Sequence, residues 1–170
     1  GLVFCSAEGT GARGIAGWRN ISPGRAINGA VTEINSECYA ALRACARICR
    51  LRRDDDKAGD LDKHAHDLRA AINQHLKNPE NGMYYLNIDT AGNAITEVTS
   101  DELFPMIFGV ADEETSRLNT LRLTNSDFMT RAGLRTISSL NPLYTPDKLI
   151  GLQGGVWPGV TWWYAMASLA

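Results

Sequence analysis

The chain has 170 residues, of which 44% are hydrophobic and 21% charged, the size and make-up of one globular domain. A formal net charge of −2 leaves no basic stripe, which argues against a nucleic acid or an anionic membrane surface as partner. No apolar run reaches the roughly 18–20 residues of a membrane span, and the N-terminus lacks the basic-then-apolar order of a signal peptide, so a cytoplasmic protein is expected.

Residues 1–29 show no sustained periodicity and carry Gly9, Gly11, Gly14, Gly17, Gly24 and Gly29. This reads as one long loop, and long loops in compact domains are usually functional. It holds Glu8, Arg13, Trp18, Arg19, Asn20 and Arg25. Gly9-Thr10-Gly11-Ala12-Arg13-Gly14 spells a dinucleotide-type glycine pattern, but no strand leads into it and no helix follows it directly. No nucleotide cofactor is expected.

From about Val31 to Arg52, Ile34, Cys38, Ala41, Cys45 and Ile48 recur at steps of three and four, an amphipathic helix that Thr32 can cap. Three of the four cysteines lie on that stripe and read as small buried hydrophobes with reduced thiols. There is no CxxC, and the histidines are distant, so no metal site is expected. Residues 58–77 form a second helix on the stripe Leu61, Ala65, Leu68, Ile72 and Leu76. His64, His66 and His75 lie on it in structural positions. The acidic turn between the helices makes an αα-hairpin.

Asn78-Pro79-Glu80-Asn81-Gly82 ends the second helix, and a short β-hairpin is expected near 84–98 with its tip at Ala91-Gly92-Asn93. Ser100-Asp101-Glu102 opens another helix with capping acids in its first turn, running to Gly109. A further helix starts at Ala111-Asp112 and turns Leu118, Leu121 and Leu123 inward. Asn125-Ser126-Asp127 caps a short helical piece, 132–150 is loop, and the last helix spans about 158–170. The chain begins without Met and closes on Ser168-Leu169-Ala170 inside an apparent helix, so it reads as a segment of a longer polypeptide.

Gly151-Leu152-Gln153-Gly154-Gly155-Val156-Trp157-Pro158 is a tight loop feeding that last helix, with Pro158 suited to a first helical turn. An indole at the lip of such a loop, beside Gln153 and Thr161, has the make-up of a sugar pocket: the ring takes the C–H face of a pyranose and fixed polar groups take its hydroxyls. Trp162 and Trp163 read as core.

Four segments in order resemble one superfamily. These are Gly29 through Leu42 with its Glu33-Ile34-Asn35 and Tyr39, Ser100 through Gly109 followed by Ala111-Asp112, Phe128 through Tyr144, and Gly154-Gly155-Val156-Trp157-Pro158. Together they are similar to the six-hairpin glycosidases, most nearly the amylo-α-1,6-glucosidase (glycogen-debranching) branch and the related processing α-glucosidases. The resemblance implies a mainly α chain of repeated αα-hairpins forming part of an (α/α)6 toroid, with an oligosaccharide or polysaccharide substrate. It also implies a general acid in the loop before the inner helix, where this chain reads Gly17-Trp18-Arg19-Asn20-Ile21-Ser22-Pro23 without a carboxylate. The family's general base would lie beyond Ala170.

Glu33, at the mouth end of its helix beside the Gly-rich loop, is the first candidate catalytic carboxylate, and Glu8 is the second. Trp157, Trp18, Gln153, Tyr39, Arg19 and Asn20 are the candidate sugar contacts. The expected activity is hydrolysis of an α-glucan or related oligosaccharide by carboxyl acid/base chemistry. A non-catalytic sugar-binding half-toroid, a helical scaffold and a lyase on the same toroid are the alternatives. An open half-toroid would bare apolar inner edges, so self-association or pairing with the rest of the parent chain is expected.

Overall fold

A computed structural model describes residues 1–5, 17–19 and 28–169. The element order is β1 (Ala30–Val31), α1 (Thr32–Leu51), α2 (Asp55–His75), β2 (Asn87–Ile88), a 3-10 turn (Ser100–Glu102), α3 (Leu103–Ile107), α4 (Glu113–Leu123), β3 (Met129–Thr130), β4 (Gly133–Leu134), a second 3-10 turn (Leu149–Gly151) and α5 (Pro158–Ala167). The architecture is mainly α, as the periodicities require. Helices α1 and α2 form the expected antiparallel hairpin, and α3 packs against both α1 and α5.

Helix α2 starts where Asp54 accepts the Lys57 N–H, with Asp55 and Asp56 at the positive end of the dipole. Its stripe is the one read from sequence: Ala65, Leu68, Ile72 and Leu76 are buried with Tyr39, Tyr84 and Val110 in one core cluster. The three histidines are exposed. The hairpin near 84–98 is present as a narrow ribbon: the Leu86 N–H donates to Ile95 O, the Ile95 N–H to Asn87 O and the Asp89 N–H to Asn93 O. Its β2 strand also pairs antiparallel with β1, Ala30 opposite Ile88, which ties the entry of α1 to this ribbon.

A second core cluster joins Leu103, Met106, Leu123, Phe128, Leu134 and Val160, so α3, α4, the β3–β4 ribbon and α5 share one interior. Pro158 takes the first helical position of α5 as expected, and the Pro105 carbonyl accepts the Val110 and Ala111 N–H groups that end α3.

Several expectations are corrected. Helix α1 does not bury Ala41, Cys45 and Ile48: these are exposed, Ile34, Cys38 and Cys49 are only half-buried, and Ile48 is 55% accessible. Its inward face is Thr32, Glu33, Asn35, Ser36, Tyr39 and Ala46. The reason is hydrogen bonding. Asn35 bridges Val3 and the Val31 carbonyl, Ser36 donates to Thr32 O, and Thr32 donates to Tyr85 O, so polar groups occupy the face that periodicity alone gives to hydrocarbon. Thr32 therefore does not cap; Val31 is the N-cap, without a side-chain bond. Leu121 and Trp162 point to solvent, not inward, and α5 ends at Ala167. Residues 125–128 form a turn ahead of β3 rather than a helix, held by the Phe128 and Met129 N–H groups on Asn125 O.

These faces predict a contrast. Ile72→Ala should lower stability by about 2–5 kcal/mol, whereas Ile48→Ala should change it by less than about 0.5 kcal/mol. Urea unfolding midpoints of the two variants measure the difference.

Candidate active site

Glu33 sits in the first turn of α1, 6% exposed. Both of its carboxyl oxygens accept from the backbone N–H of Trp18, at 3.1 and 2.9 Å. This is possible because Gly17 has φ of 125° and no side chain: a Cβ there would lie 2.1 Å from Glu33 Oε2. Burial, and then the neighbouring negative charge of Asp101, raise the Glu33 pKa from 4.5 to about 8; the Trp18 N–H pulls the other way and does not prevail.

Trp18 also reaches Asp101. Its indole N–H donates to Asp101 Oδ1 at 3.0 Å, while Asp101 Oδ2 accepts from Arg19 Nε at 2.6 Å and from the Thr99 hydroxyl at 2.8 Å. Arg19, 3% exposed, spends its other donors on Leu152 O at 2.8 Å, Ser100 Oγ at 3.1 Å and the Thr136 carbonyl. The short segment 17–19 is thereby bolted to the turn ahead of α3, to the stretch following β4 and to the Gly loop.

Around this polar knot stands an aromatic group. The Trp18 ring meets Trp157 at 5.7 Å and Trp163 at 5.5 Å, both edge-on, and Phe104 meets Trp163 at 5.1 Å. The Arg19 guanidinium lies over the Trp18 ring at 4.7 Å. Trp157 is half-buried, its indole against Gly151. The loop 151–155 is folded tightly: the Gly155 N–H donates to Gly151 O, the Gly154 N–H to the Thr136 hydroxyl at 2.7 Å, and a Cβ on Gly154 would lie 2.3 Å from the Tyr144 ring.

Among the sequence-predicted residues, Glu33, Trp18, Arg19 and Trp157 are brought together. Gln153 is buried on the same loop; its Oε1 accepts from Thr145 at 3.0 Å, and its Nε2 has no hydrogen-bond partner among the described residues. Arg19 is a strut whose donors are engaged inside the protein. Tyr39 is not brought to this group: it lies in the α1–α2 core, with its hydroxyl accepting from Arg43 at 3.1 Å, in a different cluster from the tryptophans. Glu8 and Asn20 fall outside the described residues, as do Arg13 and Arg25.

Sequence reasoning missed Asp101 and Glu102 by reading them as capping acids. Thr99 caps that turn instead, through the Asp101 N–H, and both acids are buried. Glu102 accepts the Tyr84 N–H at 3.0 Å, and its pKa is pushed up to about 8, chiefly by burial. Acids before an apolar run look the same in sequence whether they cap or are buried, and the partner that makes Asp101 interior, Arg19, is 82 residues away. Among the described residues no group of histidine, cysteine and acidic side chains could hold a metal ion, and no helix is long and apolar enough to cross a membrane.

Residues 12–169 match the family model described as the Mannosylglycerate hydrolase MGH1-like glycoside hydrolase domain. No curated protein matches the chain. Among solved structures, one titled Sialidase aligns with a TM-score of 0.72 at 18% identity, over 82% of this chain and 13% of its own. The GH63 mannosylglycerate hydrolase from Thermus thermophilus aligns with a TM-score of 0.67 at 20% identity in its complex with Tris, over 81% of this chain and 32% of that one. Its complex with glucose gives 0.66 at 18% identity, over 84% and 35%. The chain thus spans about a third or less of the length of these proteins, and at such identities the likeness establishes a shared fold.

Two outcomes follow from the buried charges. Asp101→Asn should cost about 3–5 kcal/mol, because it leaves a buried guanidinium without its counterion; thermal and urea unfolding test this. Glu33 and Glu102 hold protons in the folded state that the unfolded chain releases. Their contribution is therefore fully present below about pH 4.5 and is lost as pH rises to about 8, at roughly 1 kcal/mol per pH unit for each group. Glu102→Gln should flatten that decline when unfolding free energy is measured from pH 5 to 9.

Proposed function

The chain belongs to the MGH1-like glycoside hydrolase family, and on that premise we propose that it takes part in hydrolysing an α-glycosidic bond with Glu33 as the proton donor. The observation that carries this is the state of Glu33 itself. A general acid must hold a proton at working pH and be able to release it, and burial of the Glu33 carboxyl, with the charge of Asp101 nearby, raises its pKa to about 8. Its place at the N-terminal end of α1, beside the Trp18–Trp157 pair, gives it an aromatic flank on which a sugar ring can stack.

Inverting hydrolysis also needs a base carboxylate roughly 6.5–9.5 Å away across the scissile bond. Asp101 is ion-paired with Arg19, and Glu102 is buried with its pKa raised to about 8, so neither is a free carboxylate. The base is therefore assigned to Glu8. The proposed sugar contacts are Trp157 and Trp18, with Gln153 buried on the same loop as Trp157. The substrate class is an α-linked hexoside: an α-glucan of the debranching type on the sequence resemblance, or a small conjugate such as the mannosylglycerate named for the Thermus neighbour.

A second reading, a sugar-binding module without turnover, draws on the same loop. Gly17 through Pro23 contains no carboxylate, and its Arg19 is locked to Asp101.

Tryptophan fluorescence titrated with maltose, isomaltose and mannosylglycerate should show a saturable change that Trp157→Ala removes while the protein stays folded. Glu33→Gln should keep the binding change and lower turnover by about 10²–10⁴-fold. Binding by a wild-type protein that never turns over any of the three would select the module reading. No response to any of them would sink the substrate class.

A further inference from the structure

Two carboxyl groups are buried side by side at the mouth of α1, and one residue connects them. Trp18 gives its backbone N–H to both oxygens of Glu33 and its indole N–H to Asp101. Asp101 is closed on every side: Trp18 and Thr99 donate to it, Arg19 pairs with it at 2.6 Å, and it is almost wholly inaccessible. Three internal donors already share it and its charge is met by Arg19, so its role is structural. Yet it fixes the indole of Trp18, the residue whose backbone N–H is bonded to Glu33, and the guanidinium that stacks on that indole.

We propose that Asp101 is a positioning residue, which through Trp18 and Arg19 holds the 17–19 segment shut over Glu33 and thereby keeps the Glu33 carboxyl desolvated and in one orientation. The consequence for catalysis rests on Glu33 being the proton donor; the positioning itself does not. The groups that bear on Glu33 are Asp101, the Trp18 N–H, Glu37 one turn along α1, and Arg19. Of these, Asp101 and Arg19 form a pair of opposite sign, Glu37 is exposed, and the N–H belongs to the segment that Asp101 anchors. Removing Asp101 therefore acts twice in one direction. It takes away a negative charge, and it loosens the cover that excludes water, so the ionised form of Glu33 becomes easier to form.

The test is a direct titration of Glu33 by carbon-13 NMR of glutamate-labelled protein, with the Glu33→Gln variant identifying the resonance. In the wild-type chain its midpoint should lie near 8. In Asp101→Asn the midpoint should fall by one pH unit or more. Because that variant leaves Arg19 without its partner and risks unfolding, Trp18→Phe serves as the second arm: it keeps the backbone N–H on Glu33 and most of the ring but breaks the link to Asp101. It should also lower the Glu33 midpoint, and on any hydrolysed glycoside it should lower kcat more than it raises KM. A Glu33 midpoint unchanged in folded Trp18→Phe would overturn the proposal. A midpoint that moves while turnover does not respond would keep Asp101 as the positioning residue and remove Glu33 from catalysis.

Discussion

The buried ion pair between Arg19 and Asp101 is the contact on which the rest of this molecule hangs. A guanidinium with almost no exposure is tolerable only if its charge is met and its donors are used, and here they are spent on Asp101, Ser100, and the carbonyls of Thr136 and Leu152. These partners come from three stretches far apart in sequence. One side chain therefore sews the N-terminal loop to the turn ahead of α3, to the stretch following β4 and to the Gly-rich loop ahead of α5. Hydrophobic burial alone would bring these segments near one another; the guanidinium fork fixes their register.

From that knot the site follows by exclusion of space. Trp18, next in the chain, is held with its N–H on Glu33, and Gly17 must lack a side chain because the Glu33 carboxyl fills the place where one would begin. Gly154 is flush with the Tyr144 ring for the same reason. The outcome is a cluster of Trp18, Trp157 and Trp163 joined through Trp18 to the buried acids Glu33 and Asp101. The burial that packs the loop is also the burial that raises the Glu33 pKa.

Much of this was legible in the chain. The α2 stripe, the αα-hairpin, the short β-hairpin, Pro158 at a helix start and the pairing of Glu33 with a Gly-rich loop all follow from local rules that tertiary structure did not overrule. Helix α1 shows where such rules stop. Its apolar residues have good helical spacing, but Asn35, Ser36 and Thr32 have specific hydrogen-bond partners in the loop and the ribbon, and those partners set which face turns inward. Asp101 and Glu102 show the same limit from the other side. An acid in a first turn is ordinarily a surface group stabilised by the dipole, and only Arg19, 82 residues away, makes Asp101 an interior one. Tyr39 carried the family resemblance yet packs between helices, because its phenol fills the α1–α2 seam.

The proposed role of Glu33 requires it to keep its proton at neutral pH and deliver it to a glycosidic oxygen. The most direct measurement is kcat/KM against pH for an α-glycoside that the protein hydrolyses. Activity should fall on the alkaline side with an apparent pKa near 8, and the fall should begin at lower pH when Asp101 is neutralised. An alkaline limb that is absent, or that is unmoved by replacing Asp101, would contradict that role.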